Sequence, residues 1–387
     1  MFHRTLIARI IAVSAITLAL TSINATAAST GAYSMADPIP ASEKADDFAY
    51  PTWDYILRTT VISPGMSDRT SNPVTIKLDN SRFKWGNKNP TAIEGNRIYL
   101  GAFEGENLDT LMQIRAHMES LPVTHPMDTW TPDEKLAYWL NLYNVAMVEQ
   151  LAKHYPKRIL KDLLYGEEAL LDQKVLTVGG VPLSLNDIHH RIVLAKWDNP
   201  LVMYGFFHGY IGSPNIRREA YTPDTVWSQL QQNAVEFVNS NRGAKVRHGK
   251  LRVATLYRIN AALFPSFERD VKKHIIEYLK PAYAALAEGT RSVVAETDDF
   301  YTTDLEMGIT FDHQKGSDML EEGALALLGR ETLSAPVRVA WPSHVAVYMG
   351  EVNRKHEREL RRNRSAKPNV TVDELPSDKE ESTDGEN

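Results

Sequence analysis

Apolar positions in this chain recur mainly at helical spacing, and the clearest run covers 131–154. Thr131-Pro132-Asp133-Glu134 reads as a capping box with proline at the first helical position, where its missing N–H costs nothing. Leu136, Trp139, Leu140, Tyr143, Met147 and Leu151 follow along one face, and Ala137, Leu142, Val145 and Val148 make the other faces apolar. A helix apolar on all sides is a buried one, so this segment is expected at the centre of the molecule. It should end near His154, because Tyr155-Pro156 cannot continue it.

Three more helices carry their own start signals. Ser184-Leu185-Asn186-Asp187 opens one through about Lys196, Thr222-Pro223-Asp224 one to about Asn241, and Pro265-Ser266 one to Leu279. Short strands at 175–178 and 181–183 meet at Gly179-Gly180, and Val246 and 251–253 flank His248-Gly249, so both read as tight hairpins. There is no internal repeat between 50 and 364. The expected fold is α+β, a helix-rich single domain with short antiparallel hairpins rather than βαβ units.

The two ends follow a different pattern. His3, Arg4 and Arg9 precede an apolar run over 10–20, and Ala25-Thr26-Ala27 places small residues after it, the zones of a secretory signal. The run is shorter than the ~20 residues of a membrane span, so cleavage after Ala27 and a periplasmic or secreted product are expected. A linker over 28–50 and a globular domain over 51–364 should follow. Residues 366–387 hold seven acids against two lysines, which accounts for most of the formal charge of −6. With no aromatic residue, that acidic tail (365–387) is expected to be disordered. The basic stretch Arg354, Lys355, Arg358, Arg361, Arg362 and Arg364 before it reads as a solvated helix end, since no base-stacking aromatics or nucleic-acid module accompany it.

The 43% hydrophobic and 24% charged residues suffice for a globular core. The absence of cysteine excludes disulfides, thiol nucleophiles and thiolate metal sites at once. No G-x-S-x-G, Walker, dinucleotide or H-E-x-x-H motif is present, and no cofactor is expected. The candidate chemistry is therefore polar residues set in apolar surroundings. Asn141 and Asn144 lie on the central helix, where a buried amide either orients a catalytic group or ties down a neighbouring loop. His189 and His190 sit in the second helix about 100° apart, so only one of them is expected to face a site. In 206–218, two glycines and Pro214 shape a turn that carries His208 and Ser213, with Arg217 and Arg218 as anion-holding donors and Tyr221 just beyond. A metal site from His189 or His190 with His208 and Asp187 is disfavoured, because adjacent helical histidines converge poorly.

These residues carry a resemblance. Trp139-Leu140-Asn141-Leu142-Tyr143-Asn144, then 183–190, then Gly212-Ser213-Pro214-Asn215-Ile216-Arg217-Arg218 with the residues to Thr222, follow in the order and rough spacing of the domain-of-unknown-function family numbered 547. The resemblance covers about 130–241 and implies kinship with exported bacterial and plant proteins. That family often carries cysteines where this chain has Ser213 and His208, and an acid where it has His189. The resemblance thus implies a member without the family's usual thiols. Two readings stay open at this point. One is a binding or assembly protein with a groove around the His208–Ser213 loop, taking a small molecule, protein or peptide. The other is a hydrolase or acyl-transfer enzyme in which Ser213 attacks, His190 or His208 acts as base, Asn144 orients, and Arg217 or Arg218 holds an acidic substrate. In either reading Asn141, His189 and Tyr221 would line the ligand.

Overall fold

The structure, a computed structural model, describes residues 50–70, 74–77, 84–308 and 343–365. The expected signal over 1–27, nearly all of the linker and the acidic stretch over 366–387 lie outside the described residues.

Helix α1 (Pro51–Thr60) leads into β1 (Val61–Ile62), which pairs antiparallel with β4 (Arg97–Ile98). Between them β2 (Val74–Lys77) and β3 (Lys84–Asn87) form a second antiparallel pair. Helix α2 (Glu106–Thr124) packs on α3 (Pro132–Lys153), the central helix expected from the sequence. The Thr131–Glu134 capping box forms in both directions, and 17 residues of α3, Leu136 to Ala152, are buried. A short α4 (Lys161–Tyr165) precedes the hairpin of β5 (Lys174–Val178) and β6 (Val181–Ser184), which forms as expected. The second expected helix forms as a π-helical turn, Asp187–Val193, followed by one helical turn, Leu194–Lys196. The third and fourth form as α5 (Val226–Val238) and α7 (Phe267–Tyr278), each shorter than expected at its ends, with α6 (Leu256–Ile259) before and α8 (Pro281–Glu288) after α7.

The second hairpin, β7 (Ala244–Arg247) and β8 (Lys250–Ala254), gains a third strand that the sequence reading lacks. β9 (Ser292–Thr297) joins β8 in parallel, so one sheet is mixed. A parallel partner requires a long crossover, and here α6, α7 and α8 supply it. The fold is α+β and helix-rich, and among the described residues no helix is long and apolar enough to cross a membrane. A large core surrounds α3. A smaller apolar cluster joins Ala92, Ile93, Tyr99, Leu305 and Met307 to the final helix α9 (Ser343–Ser365) through Val345, Tyr348 and Val352. The basic stretch lies on α9 and is only partly solvated. Lys355 is buried and donates to the Gly65 carbonyl (3.1 Å), while Arg358 pairs with Asp68 at 3.1 Å and Arg361 stays exposed.

Candidate functional site

Asn141 and Asn144 lie on the middle of α3, where they meet Tyr221 and the loop that carries His208, while Ser213, Arg217 and Arg218 sit elsewhere. Asn141 donates to the Tyr221 carbonyl (2.7 Å) and accepts from the Tyr221 amide (2.9 Å). One helical turn on, Asn144 donates to the Gly205 carbonyl (3.0 Å) and accepts from the Phe207 amide (3.0 Å). Each side-chain amide thus satisfies one donor and one acceptor of a buried loop backbone, which would otherwise remain unpaired at a cost of about 1–3 kcal/mol per group. Between them Tyr143 points its hydroxyl at His208 Nδ1, 3.0 Å away.

His208 is buried, and among the described residues its Nε2 has no hydrogen-bond partner. Burial, with His190 nearby, pulls its pKa down to about 3, so it is neutral at ordinary pH. His189 is buried too, with Nε2 2.8 Å from the Asn260 side-chain oxygen, and burial holds its pKa well below the usual histidine range. His190 is half-buried, and partial burial lowers its pKa. The 100° divergence expected of the adjacent pair is not what forms. In the wider π turn the His189 and His190 rings stack at 4.2 Å with 18° between planes, and His208 lies 5.7 Å from His189 between ring centres. Asp187 fixes the start of that turn by accepting from the Ser184 amide (2.8 Å) and hydroxyl (3.0 Å) and pairing with Lys174 and Arg191. These contacts hold its carboxyl well below the usual range. Among the described residues no group of three or more His, Asp or Glu is placed to hold a metal ion.

Ser213 stands apart from this imidazole cluster. Its hydroxyl donates to the Tyr210 carbonyl at 2.7 Å, it is 1% exposed, and among the described residues no hydrogen bond joins it to a histidine. The groove expected around the 208–213 loop is filled. Every residue over 202–214 is buried, and a strap over 299–303 is zipped onto the loop. Ile211 N donates to Tyr301 O (2.9 Å), Gly212 N to Asp299 O (2.9 Å), and Thr303 N to Gly209 O (2.8 Å). Gly209 takes φ +80°, a left-handed conformation where a side chain would also run into Leu151. At Gly212 an added Cβ would stand 2.8 Å from the Asp299 amide nitrogen, so the close approach of the strap requires glycine there.

The arginines are committed as well. Arg217 donates to the Gln229 carbonyl (3.1 Å) and to Gln232 (2.9 Å) on α5, and Arg218, exposed, reaches the Arg58 carbonyl (3.2 Å). Tyr221 is buried with its hydroxyl 3.3 Å from Asn233. Sequence reasoning missed Arg242, which is fully buried against the loop. It donates to the Ser213 carbonyl, to Ile211 O (3.3 Å) and to Asn215 (3.0 Å), pairs with Glu236, and lies over the Phe237 ring at 4.8 Å. The Glu236–Arg242 spacing crosses a helix end, so no periodic pattern flags it.

Residues 127–238 match the family model described as "Protein of unknown function, DUF547". The matched segment runs from just before α3 to the last residue of α5 and contains all nine candidate residues. No curated protein and no solved structure matches the chain.

Proposed function

We propose that this chain is an exported protein that works by binding a ligand or partner, not by serine-dependent hydrolysis or acyl transfer. The observation that carries the second half is the Ser213 hydroxyl, which is directed at the Tyr210 carbonyl beneath the 299–303 strap. A nucleophilic serine needs a base within hydrogen-bond reach and an approach for substrate, and Ser213 has neither. The asparagine and arginine contacts support the same reading, because each holds loop backbone or a neighbouring helix. Export rests on the charged, apolar and small-residue zones of 1–27.

Two experiments test this. The mature protein is screened against ester, amide and peptide substrates together with Ser213→Ala and His208→Ala, each checked for folding. The expected result is no turnover that Ser213→Ala removes, and hydrolysis abolished in a folded Ser213→Ala protein would overturn the binding reading. Cell fractionation with N-terminal sequencing of the full chain is expected to give an extracytoplasmic product starting at Ala28, while an intact cytoplasmic chain contradicts export.

A further inference from the structure

The mixed sheet of β7, β8 and β9 has one face in the core and one towards water, and its register shows what the outer face carries. Ala244, Leu251, Val253, Val293 and Ala295 are buried on the inner face. Lys245 and Arg247 of β7 and Lys250 and Arg252 of β8 alternate with them, so all four stand on the outer face. There β9 adds Ser292, Val294 and, through its pairing with Arg252, Glu296. None of these seven residues is buried, and Arg247, Lys250 and Glu296 are exposed.

The antiparallel ladder sets Lys245 directly opposite Arg252, and Arg247 directly opposite Lys250. Two like-charge pairs in succession destabilise the hairpin that carries them. Relief from within the fold is partial. Glu296 pairs with Arg252, and Glu296 and Glu94 act on Lys245. Lys250 faces uncharged Ser292 on its other side, and among the described residues Arg247 and Lys250 make no ion pair. The cations of α9 differ, since Arg354 pairs with Glu351, Arg361 with Glu357, and Arg358 and Arg362 with Asp68.

The chain itself holds acids within reach. Residues 366–387 carry seven acids against two lysines and follow directly on α9. Arg362, in the last turn of α9, lines a cleft of about 160 Å³ with Tyr283 of α8. Tyr283 also lines a cleft of about 240 Å³ with Ala244 and Val246 of β7. The end of α9 and the strand β7 thus border the same tyrosine. Because β7 is an edge strand, a chain leaving α9 passes one strand, ~5 Å wide, to reach the outer face. The acids lie 8 to 21 residues beyond Ser365, a reach of about 16–25 Å for a flexible chain and more for a charged one.

We propose that the acidic stretch 373–386 docks on the outer face of this sheet and sets its carboxylates against the Arg247–Lys250 and Lys245–Arg252 pairs. The occupant is a segment of this chain, selected by charge and by its point of attachment. Tethering gives it an effective concentration in the millimolar range, so a shallow electrostatic contact suffices. The tail thereby competes with any other acidic partner for these cations. The sheet lies outside the matched segment 127–238, and the contact is independent of the binding reading above.

The thiol-free chain allows two spin labels to be placed in the full mature protein, at Ser292→Cys on the outer face and Ser382→Cys in the tail. Pulsed EPR is expected to show a short-distance population at about 10 mM salt, where the screening length is ~30 Å, and its loss at about 1 M, where it is ~3 Å. Arg247→Glu with Lys250→Glu, exposed positions whose folding is checked by circular dichroism, should lower the docked-to-free ratio about three- to tenfold. Arg361→Glu on α9 should leave that ratio within twofold. A ratio unmoved by the sheet variant, or one lowered instead by Arg361→Glu, overturns the proposal. Loss of the short distance on dilution with unlabelled chain marks a contact between copies and overturns it too. So does a long distance at both salt concentrations, the result expected if the cations only keep the edge strand in water.

Discussion

Replacing His208 by asparagine probes the buried imidazole cluster through its pH dependence. His208 is 1% exposed and its pKa is pulled down to about 3 by burial and by His190. The unfolded chain titrates the same group near ~6.5. Between those values the unfolded state takes up a proton that the folded state refuses, so stability falls as pH drops through the window. The loss is about 1.4 kcal/mol per pH unit, or roughly 2 kcal/mol by pH 5. Asparagine does not titrate. The variant loses the Tyr143 contact at every pH, an offset, but it also loses this slope. His274, pulled down to about 4 by burial, and Asp304, pushed up to about 7 by burial and by Glu306, titrate in both proteins and cancel in the difference. Urea unfolding of wild type and His208→Asn at steps between pH 7.5 and 4.5 measures the gap. Wild type should lead at neutral pH, and its lead should shrink by roughly 2–3 kcal/mol at the acid end. A gap that does not change with pH would refute the claim that His208 is buried and neutral.

Three further substitutions probe the frame around that cluster. Asn144→Ala strands the Gly205 carbonyl and the Phe207 amide, and should lower unfolding free energy by about 2–4 kcal/mol in chemical denaturation; a change below about 0.5 kcal/mol contradicts the clamp. Gly209→Ala forces a side chain into a left-handed backbone against Leu151, and a loss of about 1–3 kcal/mol is expected in thermal melts. Asp304 accepts from the Leu100 (3.0 Å) and Gly308 (2.8 Å) amides, and its raised pKa means a stabilising proton is held at low pH and lost as pH rises through about 7. Relative to wild type, Asp304→Asn should therefore gain about 1.4 kcal/mol per unit between pH 4 and 7, opposite in sign to the histidine effect; a flat difference shows that the carboxyl titrates normally.

Local chemistry made part of this molecule legible in its sequence. The Thr131–Glu134 capping box and the apolar faces of 136–151 located α3 within one residue, because both signals lie inside the helix itself. Gly179-Gly180 and His248-Gly249 located the hairpins for the same reason. The asparagines were recognisable as buried amides, and the loop-clamping alternative is the one formed. What the sequence hid depends on distant partners. The 299–303 strap that fills the expected groove is about 90 positions from the loop it covers, and Arg242 reaches that loop from beyond α5. The π turn at 187–193 escaped because its start signal is that of an ordinary helix, while the wider turn brings together two imidazoles that an α-helix would separate. The parallel β8–β9 pair likewise leaves no local mark, since its strands are joined only through three intervening helices.

The central claim is that the segment matching the DUF547 family model is a packed scaffold in which Ser213 is structural. Intact-mass spectrometry of the folded mature protein after incubation with a fluorophosphonate, a reagent that forms an adduct with activated serines, tests it most directly. The account predicts an unmodified mass and a Ser213→Ala protein that behaves identically. A stoichiometric adduct mapped to Ser213 in the folded protein would contradict it.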